Sequence, residues 1–322
     1  MSMYLVTGGA GFIGSHLAGR LVALGHKVRI LDDLSSGRPS NLTAVKDALI
    51  GSGAGKGATL DFVEGDMRDP AVCRRVCEGV EVVFHEAAVP SVPLSVEKPE
   101  NSHTANIDGT FNLLMAAKGA GVRRFVYAGS SSAYGDTPEL PKRESMPTNP
   151  KSPYAVQKLA GELYCRAFAE CYGFETITLR YFNVFGPRQN PKSQYAAAIP
   201  AFVSAILRGE PPTVYGDGEQ TRDFTYIDNV VEGNLLAARV PKASGEVINL
   251  ACGDRISVNE VIARINAILG TRVAANHLPE RAGDVKHSCA DIALARSFLG
   301  FKPVVSFEEG LRRSIEYYQS NL

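Results

Sequence analysis

The sequence predicts an α/β protein: a doubly wound parallel sheet followed by a smaller, discontinuous α/β lobe. Three observations predict it. A short apolar run at 3–7 passes straight into a glycine-rich turn and then a helical pattern. Short apolar runs and helical stretches then alternate to about residue 180. Beyond that point the pattern turns irregular and rich in proline and glycine, as a second lobe would. The 322 residues suffice for one large domain or two smaller ones. Hydrophobic content of 45%, charged content of 21% and a formal net charge of zero are ordinary for a globular chain. They argue against a large non-specific nucleic-acid footprint. No run of about 18 apolar residues occurs, so no membrane span is expected. The N-terminus lacks a basic leader region and reads as a first strand, not a signal peptide. The six cysteines are scattered without zinc spacing, and Cys73 and Cys77 are placed as on one helix face. A cytoplasmic protein with reduced thiols and no metal is expected.

The first unit opens with the strand at 3–7, then Thr7-Gly8-Gly9-Ala10-Gly11-Phe12-Ile13-Gly14, then a helix that Gly25 ends. In a strand–turn–helix context, glycines at 8, 11 and 14 form a Rossmann-type phosphate turn. Gly8 permits the tight turn, Gly11 lets backbone approach a pyrophosphate, and Gly14 lets the helix pack closely. The helix N-terminus at Phe12 and Ile13 then faces the phosphates. A second strand at 27–31 ends in Asp32 and Asp33. An acid there hydrogen-bonds an adenosine ribose and repels a 2′-phosphate, so the cofactor reads as NAD rather than NADP, with Arg38 as the counter-signal. The glycine-rich stretch 51–57 imitates a phosphate loop, but Ile50 and Gly57 stand where a Walker loop needs Gly and Ser or Thr. It reads as a surface loop. A strand at 59–64 leads to Asp66 and Met67, which would border the adenine. A strand at 80–85 leads to Ala87 and Ala88, small enough to let a cofactor pass. A helix spans 102–119, and a strand at 125–129 delivers Ser130 at its carboxyl end, where open α/β sheets bind ligands. Pro153 suits the first turn of a helix that runs to 172 and stops at Gly173. A strand at 176–180 completes a first domain of residues 1–180. The second lobe, 181–322, carries a helix at 199–207, a strand at 213–215, Gly216-Asp217-Gly218, and helices at 257–269 and 308–318. A strand near 247–251 returns to the first domain's sheet.

The chemistry concentrates between 130 and 158. Tyr154 and Lys158 are one helical turn apart and emerge on one face. A free phenol, with a pKa near 10, is a poor base at neutral pH. An ammonium one turn away favours the phenolate and lowers that value. Ser130, with Ser131 and Ser132 beside it, can hydrogen-bond the same oxygen. The three groups suit proton exchange at an alcohol carbon, provided a hydride acceptor is near.

These residues, in this order and spacing, resemble the extended short-chain dehydrogenase/reductase family and, within it, the UDP-hexose 4-epimerases. The likeness runs through the glycine motif, Ser130, Tyr154-x-x-x-Lys158, Arg180-Tyr181-Phe182-Asn183, Gly216-Asp217-Gly218 and Arg222-Asp223. The resemblance implies transient oxidation at the sugar C4 against a tightly held NAD. In it Tyr154 takes and returns the hydroxyl proton, Lys158 holds the nicotinamide ribose and tunes Tyr154, and Ser130 orients the oxygen. It implies Asn183, Arg222 and Arg281 as diphosphate contacts, Tyr215 at the uracil and Asp284 at a ribose. Ser288 stands where relatives restricted to plain sugars carry a bulky tyrosine, so an N-acetyl group should fit. Ser91, Ser132, Gln189 and Ala197, the last within Tyr195-Ala196-Ala197-Ala198, look like further sugar contacts of N-acetylhexosamine-type epimerases. The expected reaction interconverts UDP-GlcNAc and UDP-GalNAc, with activity on UDP-Glc and UDP-Gal, since a roomy pocket rejects a smaller ligand by only ~1–3 kcal/mol.

Two other readings stay open. A UDP-glucuronate 4-epimerase or decarboxylase would need a carboxylate clamp near C6 that the sequence does not place. A non-catalytic NAD-binding regulator would have no need of Ser130, Tyr154 and Lys158. Dehydratases of the family put an Asp-Glu pair soon after the serine, where this chain has Ser131-Ser132-Ala133. The helices from Ser102 and Ser152 resemble the pair that forms a four-helix dimer interface in this family, so a homodimer is expected.

Overall fold

Seven strands form one parallel sheet, and alternating side chains explain why both of its faces are buried. Adjacent residues along a strand point to opposite faces. Leu5, Val83, Phe125 and Tyr127 enter one apolar cluster; Val6, Phe84, Val126 and Ala128 enter another. Near-continuous apolar runs of this kind belong to parallel sheets covered on both sides. The computed structural model describes residues 2–51, 57–191, 198–280 and 286–321.

The elements follow in chain order as β1 (Met3–Thr7), α1 (Phe12–Ala23), β2 (Lys27–Asp32), α2 (Pro39–Gly51), β3 (Thr59–Glu64), α3 (Pro70–Cys77) and β4 (Val82–His85). Then come α4 (Val92–Glu97), α5 (Pro99–His103), a π-helical turn (Thr104–Gly109), α6 (Thr110–Gly119) and β5 (Arg124–Ser130). A 3₁₀ turn (Ser131–Tyr134), α7 (Pro153–Tyr172) and β6 (Glu175–Tyr181) follow. The remainder is β7 (Val184–Phe185), α8 (Ala198–Leu207), β8 (Thr213–Tyr215), β9 (Thr221–Arg222), β10 (Thr225–Tyr226), α9 (Ile227–Arg239) and β11 (Glu246–Leu250). It closes with β12 (Ile256–Ser257), α10 (Val258–Leu269), β13 (Asn276–Leu278), a second π turn (Ala295–Leu299) and α11 (Phe307–Asn321).

The sheet order is β3-β2-β1-β4-β5-β6-β11. The chain reverses direction between β1 and β4, and ligands of doubly wound sheets bind at that switch. β11 pairs with β6 from Glu246↔Ile177 to Leu250↔Tyr181, so a strand from beyond residue 240 forms one edge. α1, α2 and α9 cover one face and α3, α6 and α7 the other. The α7 boundaries follow sequence rules: the Ser152 hydroxyl accepts from the Ala155 N–H, Pro153 takes the first turn, and Gly173 closes the helix at φ +63°. α10 opens on a reciprocal capping box between Ser257 and Glu260.

Several elements differ from the sequence expectation. The expected helix at 102–119 is preceded by α4 and α5 and interrupted by the π turn. α2 and α9 were not expected at all. The stretch 51–57 is entered from a helix and left into a strand, the reverse of the strand-to-helix order of a phosphate loop. Residues 52–56 lie outside the described part. Among the described residues, no helix is long and apolar enough to cross a membrane.

Candidate active site

The glycine turn is fixed by backbone contacts that leave no room for side chains. Gly8 has φ +66°, and a Cβ there would stand 2.8 Å from the Ala87 Cα. A Cβ on Gly14 would stand 2.2 Å from the Gly8 carbonyl oxygen. Gly14 therefore packs the helix against the turn itself, the particular form its close-packing role takes. α1 starts at Gly11 with no capping side chain and no acid in its first turn. The N–H groups at Phe12 and Ile13 thus begin the helix with neither of the usual partners, which suits a pyrophosphate.

The two acids after β2 have different surroundings. Asp32 is buried; its Oδ2 accepts from the Ala10 N–H at 2.8 Å and its Oδ1 from the Leu34 N–H at 2.9 Å. Burial pushes its carboxyl up, against those two hydrogen bonds. Asp33 is exposed and caps Ser35. Asp32 thus braces the glycine turn, while Asp33 stands open beside it. Asp66 pairs with Arg68, and Met67 lies over Gly109, where a Cβ would be 2.7 Å from its Cγ. Ala87 donates its N–H to the Thr7 hydroxyl, and both Ala87 and Ala88 are half-buried at the sheet's carboxyl edge. This cradle of glycines, open helix N-terminus and acids fits a dinucleotide without a 2′-phosphate.

Tyr154, Lys158 and Ser130 come together at the end of β5 and the start of α7. The Ser130 hydroxyl accepts from the Ser132 N–H at 3.2 Å and the Ser132 hydroxyl at 2.8 Å. That leaves its own proton for Tyr154, whose phenolate it favours. Ser131 opens the 3₁₀ turn between them. Lys158 is buried, with Nζ 4.7 Å from the centroid of the Tyr127 ring. Burial lowers its ammonium to about 8, against the pull of Glu86 and Cys165. The expectation that Lys158 lowers the Tyr154 pKa is corrected here. Burial dominates and pushes the phenol up; the Ser130 hydrogen bond opposes it, and Lys158 has no resolved part.

Four polar residues of this region carried no recognised signal. Ser95 is fully buried and accepts the Tyr154 N–H at 3.0 Å, fixing the start of α7. Asn106, turned inward by the π turn, pairs with both backbone groups of Val89 and donates to Gln157 Oε1 at 2.9 Å. Gln157 donates on to Ser102 at 2.9 Å. Glu86 accepts from the Tyr181 hydroxyl at 2.8 Å. An asparagine inside a helical run was the one available hint.

On the far side, Asn183 Nδ2 lies 3.3 Å from both the Ser288 hydroxyl and the Asp223 carbonyl. Arg222 donates to the Thr221 and Lys286 carbonyls at 3.0 and 3.1 Å, beside the same strand. Its neighbour Asp223 points inward and accepts three N–H groups, from Cys252, Gly253 and Ala290. Asn183 and Ser288 thus meet directly, with Arg222 next to Asp223 in the same strand segment. Tyr215 lies on the β8–β13 pair, opposite Leu278, and its carbonyl accepts from the Gln220 side chain at 2.7 Å. Gln189 is held by Val184 and Tyr318 and makes no hydrogen bond to Asn183 or Ser288. The Ser91 oxygen accepts the Leu94 N–H at the start of α4. Ala197, Arg281 and Asp284 lie outside the described residues.

Comparison with known proteins agrees with this geometry. The family model for the NAD dependent epimerase/dehydratase family matches residues 4–251. A UDP-glucose 4-epimerase of Mycolicibacterium smegmatis is 38% identical over 318 residues, 98% of each chain. Among solved structures, a UDP-N-acetylglucosamine 4-epimerase from Methanobrevibacter ruminantium, in complex with UDP-N-acetylmuramic acid, is 40% identical. It superposes with a TM-score of 0.91 over 100% of this chain and 99% of its own. A UDP-glucuronic acid 4-epimerase from Bacillus cereus is 32% identical, with a TM-score of 0.89 over 99% and 100%. Glycine cradle, acid pair, serine–tyrosine–lysine group and full-length likeness converge: the chain belongs to the NAD dependent epimerase/dehydratase family, with NAD as its cofactor.

Proposed function

We propose that the protein is a UDP-sugar 4-epimerase that interconverts UDP-GlcNAc and UDP-GalNAc and also accepts UDP-Glc and UDP-Gal. The observation that carries the substrate reading is the hydrogen bond between Asn183 and Ser288. It sets a small hydroxyl, rather than a bulky ring, beside Asn183. The solved relative acting on UDP-N-acetylglucosamine supports the same choice.

NAD, when bound, supplies reversible hydride acceptance at the sugar carbon; Gly8, Gly11, Phe12, Ile13, Gly14, Asp33, Met67, Ala87 and Ala88 would hold it. The protein's part is proton handling and orientation. In its ionised form, which the Ser130 hydrogen bond favours against burial, Tyr154 accepts the C4 hydroxyl proton and returns it from the same oxygen. Ser130 holds that oxygen by donating to it. Lys158, one turn further along α7, would hold the nicotinamide ribose. Asn183 and Arg222 would anchor the diphosphate, which leaves the sugar free to turn over between the two half-reactions.

Ser288→Tyr tests the substrate reading. The variant is expected to lose at least ~10-fold in kcat/KM for UDP-GalNAc while keeping most of its activity on UDP-Gal. Equal losses on both substrates would contradict the assignment. A glucuronate epimerase is the second reading, because relatives of that activity are also similar in structure; for it, UDP-glucuronate would be the better substrate of the unmodified protein.

The surface also supports the reading of a homodimer. Phe111 and Met115 on α6, and Val156, Leu163 and Tyr164 on α7, are exposed large apolar side chains on two packed neighbouring helices. Phe111 and Tyr164 lie ring to ring at 5.3 Å. A contiguous apolar surface of this kind suits a partner copy. Light scattering is expected to give twice the chain mass; a monomer at working concentration would refute it.

A further inference from the structure

Two side chains that the proton exchange does not use tie the cofactor helix to the segment that leaves the sheet for the second lobe. His16 lies on α1 one turn after Phe12, and the two rings meet edge to face with centroids 5.8 Å apart. Its Nε2 lies 3.0 Å from the Pro187 carbonyl, 171 residues further along the chain. A carbonyl only accepts, so Nε2 carries the proton and donates it. Burial pushes the imidazole down to about 3, so the ring is neutral at physiological pH. Beside it, Arg188 donates from Nη1 to the buried Ser15 hydroxyl at 3.1 Å, and that hydroxyl donates to the Phe12 carbonyl at 3.1 Å.

The tied segment holds strained backbone. Asn183 has φ +30° and Arg188 φ +66°, two of the three non-glycine residues with positive φ among the described residues. Side chains rarely adopt such values, which persist only where surrounding contacts impose them. At one end the Asn183 carbonyl accepts the Thr225 N–H at 3.2 Å, and β7 pairs in parallel with β10. At the other end the Tyr318 hydroxyl on α11 lies 3.1 and 2.8 Å from the Gly186 and Gln189 carbonyls. Pro187 falls between those two carbonyls, and its own carbonyl is held by His16, from the helix that begins at the glycine turn. The strained segment delivers the Asn183 side chain to the Ser288 hydroxyl.

We propose that His16 is a positioning residue for the sugar nucleotide: its hydrogen bond to Pro187 keeps the 183–188 segment in the strained form that presents Asn183 beside Ser288. This rests on the proposed reading of Asn183 as a diphosphate contact. His16 acts through the backbone, from the cofactor helix to the substrate side. Without the tie the segment relaxes toward ordinary φ values, and the nucleotide binds only the fraction of molecules that keeps the strained form. Apparent affinity then falls by that fraction, while the complex, once formed, turns over as before.

His16→Leu removes the donor at similar volume, and His16→Gln restores an N–H donor of similar reach. Asn183→Gly, which accommodates the positive φ, tests the underlying reading. Each holoenzyme is compared with the wild type by calorimetric titration with UDP, by KM and kcat for the better of UDP-GalNAc and UDP-Gal, and by bound NAD. His16→Leu is expected to bind UDP about five- to tenfold more weakly and to raise KM by the same factor, with kcat within about twofold and NAD retained. His16→Gln should recover UDP binding to within about twofold, and Asn183→Gly should weaken it at least as much as His16→Leu does. Unchanged UDP affinity in His16→Leu, with Asn183→Gly weakened, would overturn the role of His16 alone. Equal losses in His16→Leu and His16→Gln, or a fall in NAD or kcat in step with UDP affinity, would mark a merely structural residue and overturn it too. Wild-type UDP affinity in Asn183→Gly would instead sink the reading of Asn183 as a diphosphate contact.

Discussion

Replacing Tyr154 by phenylalanine is expected to lower epimerisation by about 10²–10⁴-fold, the usual worth of a positioned acid–base group. The ring is retained, so the contacts that bury it and the Ser95 hydrogen bond to its N–H remain. Bound NAD and melting temperature should therefore match the wild type. Loss should fall on kcat, because the phenol oxygen acts on the proton in flight rather than on the nucleotide. Activity within a few-fold of wild type would remove Tyr154 from the chemistry. Loss of NAD together with activity would make it a structural residue of the cofactor site.

The second large effect is on stability. Arg180 and Glu162 are 3% and 6% exposed and paired through two hydrogen bonds. The guanidinium also lies 4.5 Å from the centroid of the Tyr134 ring, and Tyr134 in turn donates to Asn249 of the edge strand at 2.7 Å. Arg180→Met leaves the Glu162 carboxylate buried without its partner, and should cost about 3–5 kcal/mol in denaturant unfolding at a fixed NAD concentration. Adding Glu162→Leu should recover most of that, since two apolar groups replace a buried pair at little net cost. A single-variant loss below about 1 kcal/mol would show that the pair contributes nothing to the join between β6 and α7.

Much of the fold was legible because its signals are local. β1 through β6 are short apolar runs punctuated by glycines, and the helices that bound them carry ordinary caps, such as Ser152 with Pro153 and Gly173. α9 was missed for a physical reason. Its sequence contains Gly233, a poor helix former, but that glycine lies where a Cβ would stand 2.4 Å from a Leu250 side-chain carbon. Tertiary packing against β11 requires the glycine and supplies the helix its stability. α4 was obscured by Pro93 and by Pro99 just beyond its end; the first of these sits in its opening turn, where proline is tolerated.

The site divides in the same way. Gly8, Gly14, Ser130, Tyr154 and Lys158 are marked by spacing and by their place at strand ends. Ser95, Glu86 and Asn106 act through partners 59, 95 and 51 residues away, distances at which a single sequence carries no pattern. The influence of Lys158 on Tyr154 was inferred from one-turn spacing alone. Burial, which spacing does not report, proved the larger effect on the phenol.

The most direct measurement is a side-by-side kcat/KM for UDP-GalNAc, UDP-Gal and UDP-glucuronate with the purified holoenzyme at neutral pH. The account predicts turnover of UDP-GalNAc at least equal to that of UDP-Gal, and little of UDP-glucuronate. Preference for UDP-Gal with scant UDP-GalNAc turnover, or activity on UDP-glucuronate alone, would contradict it.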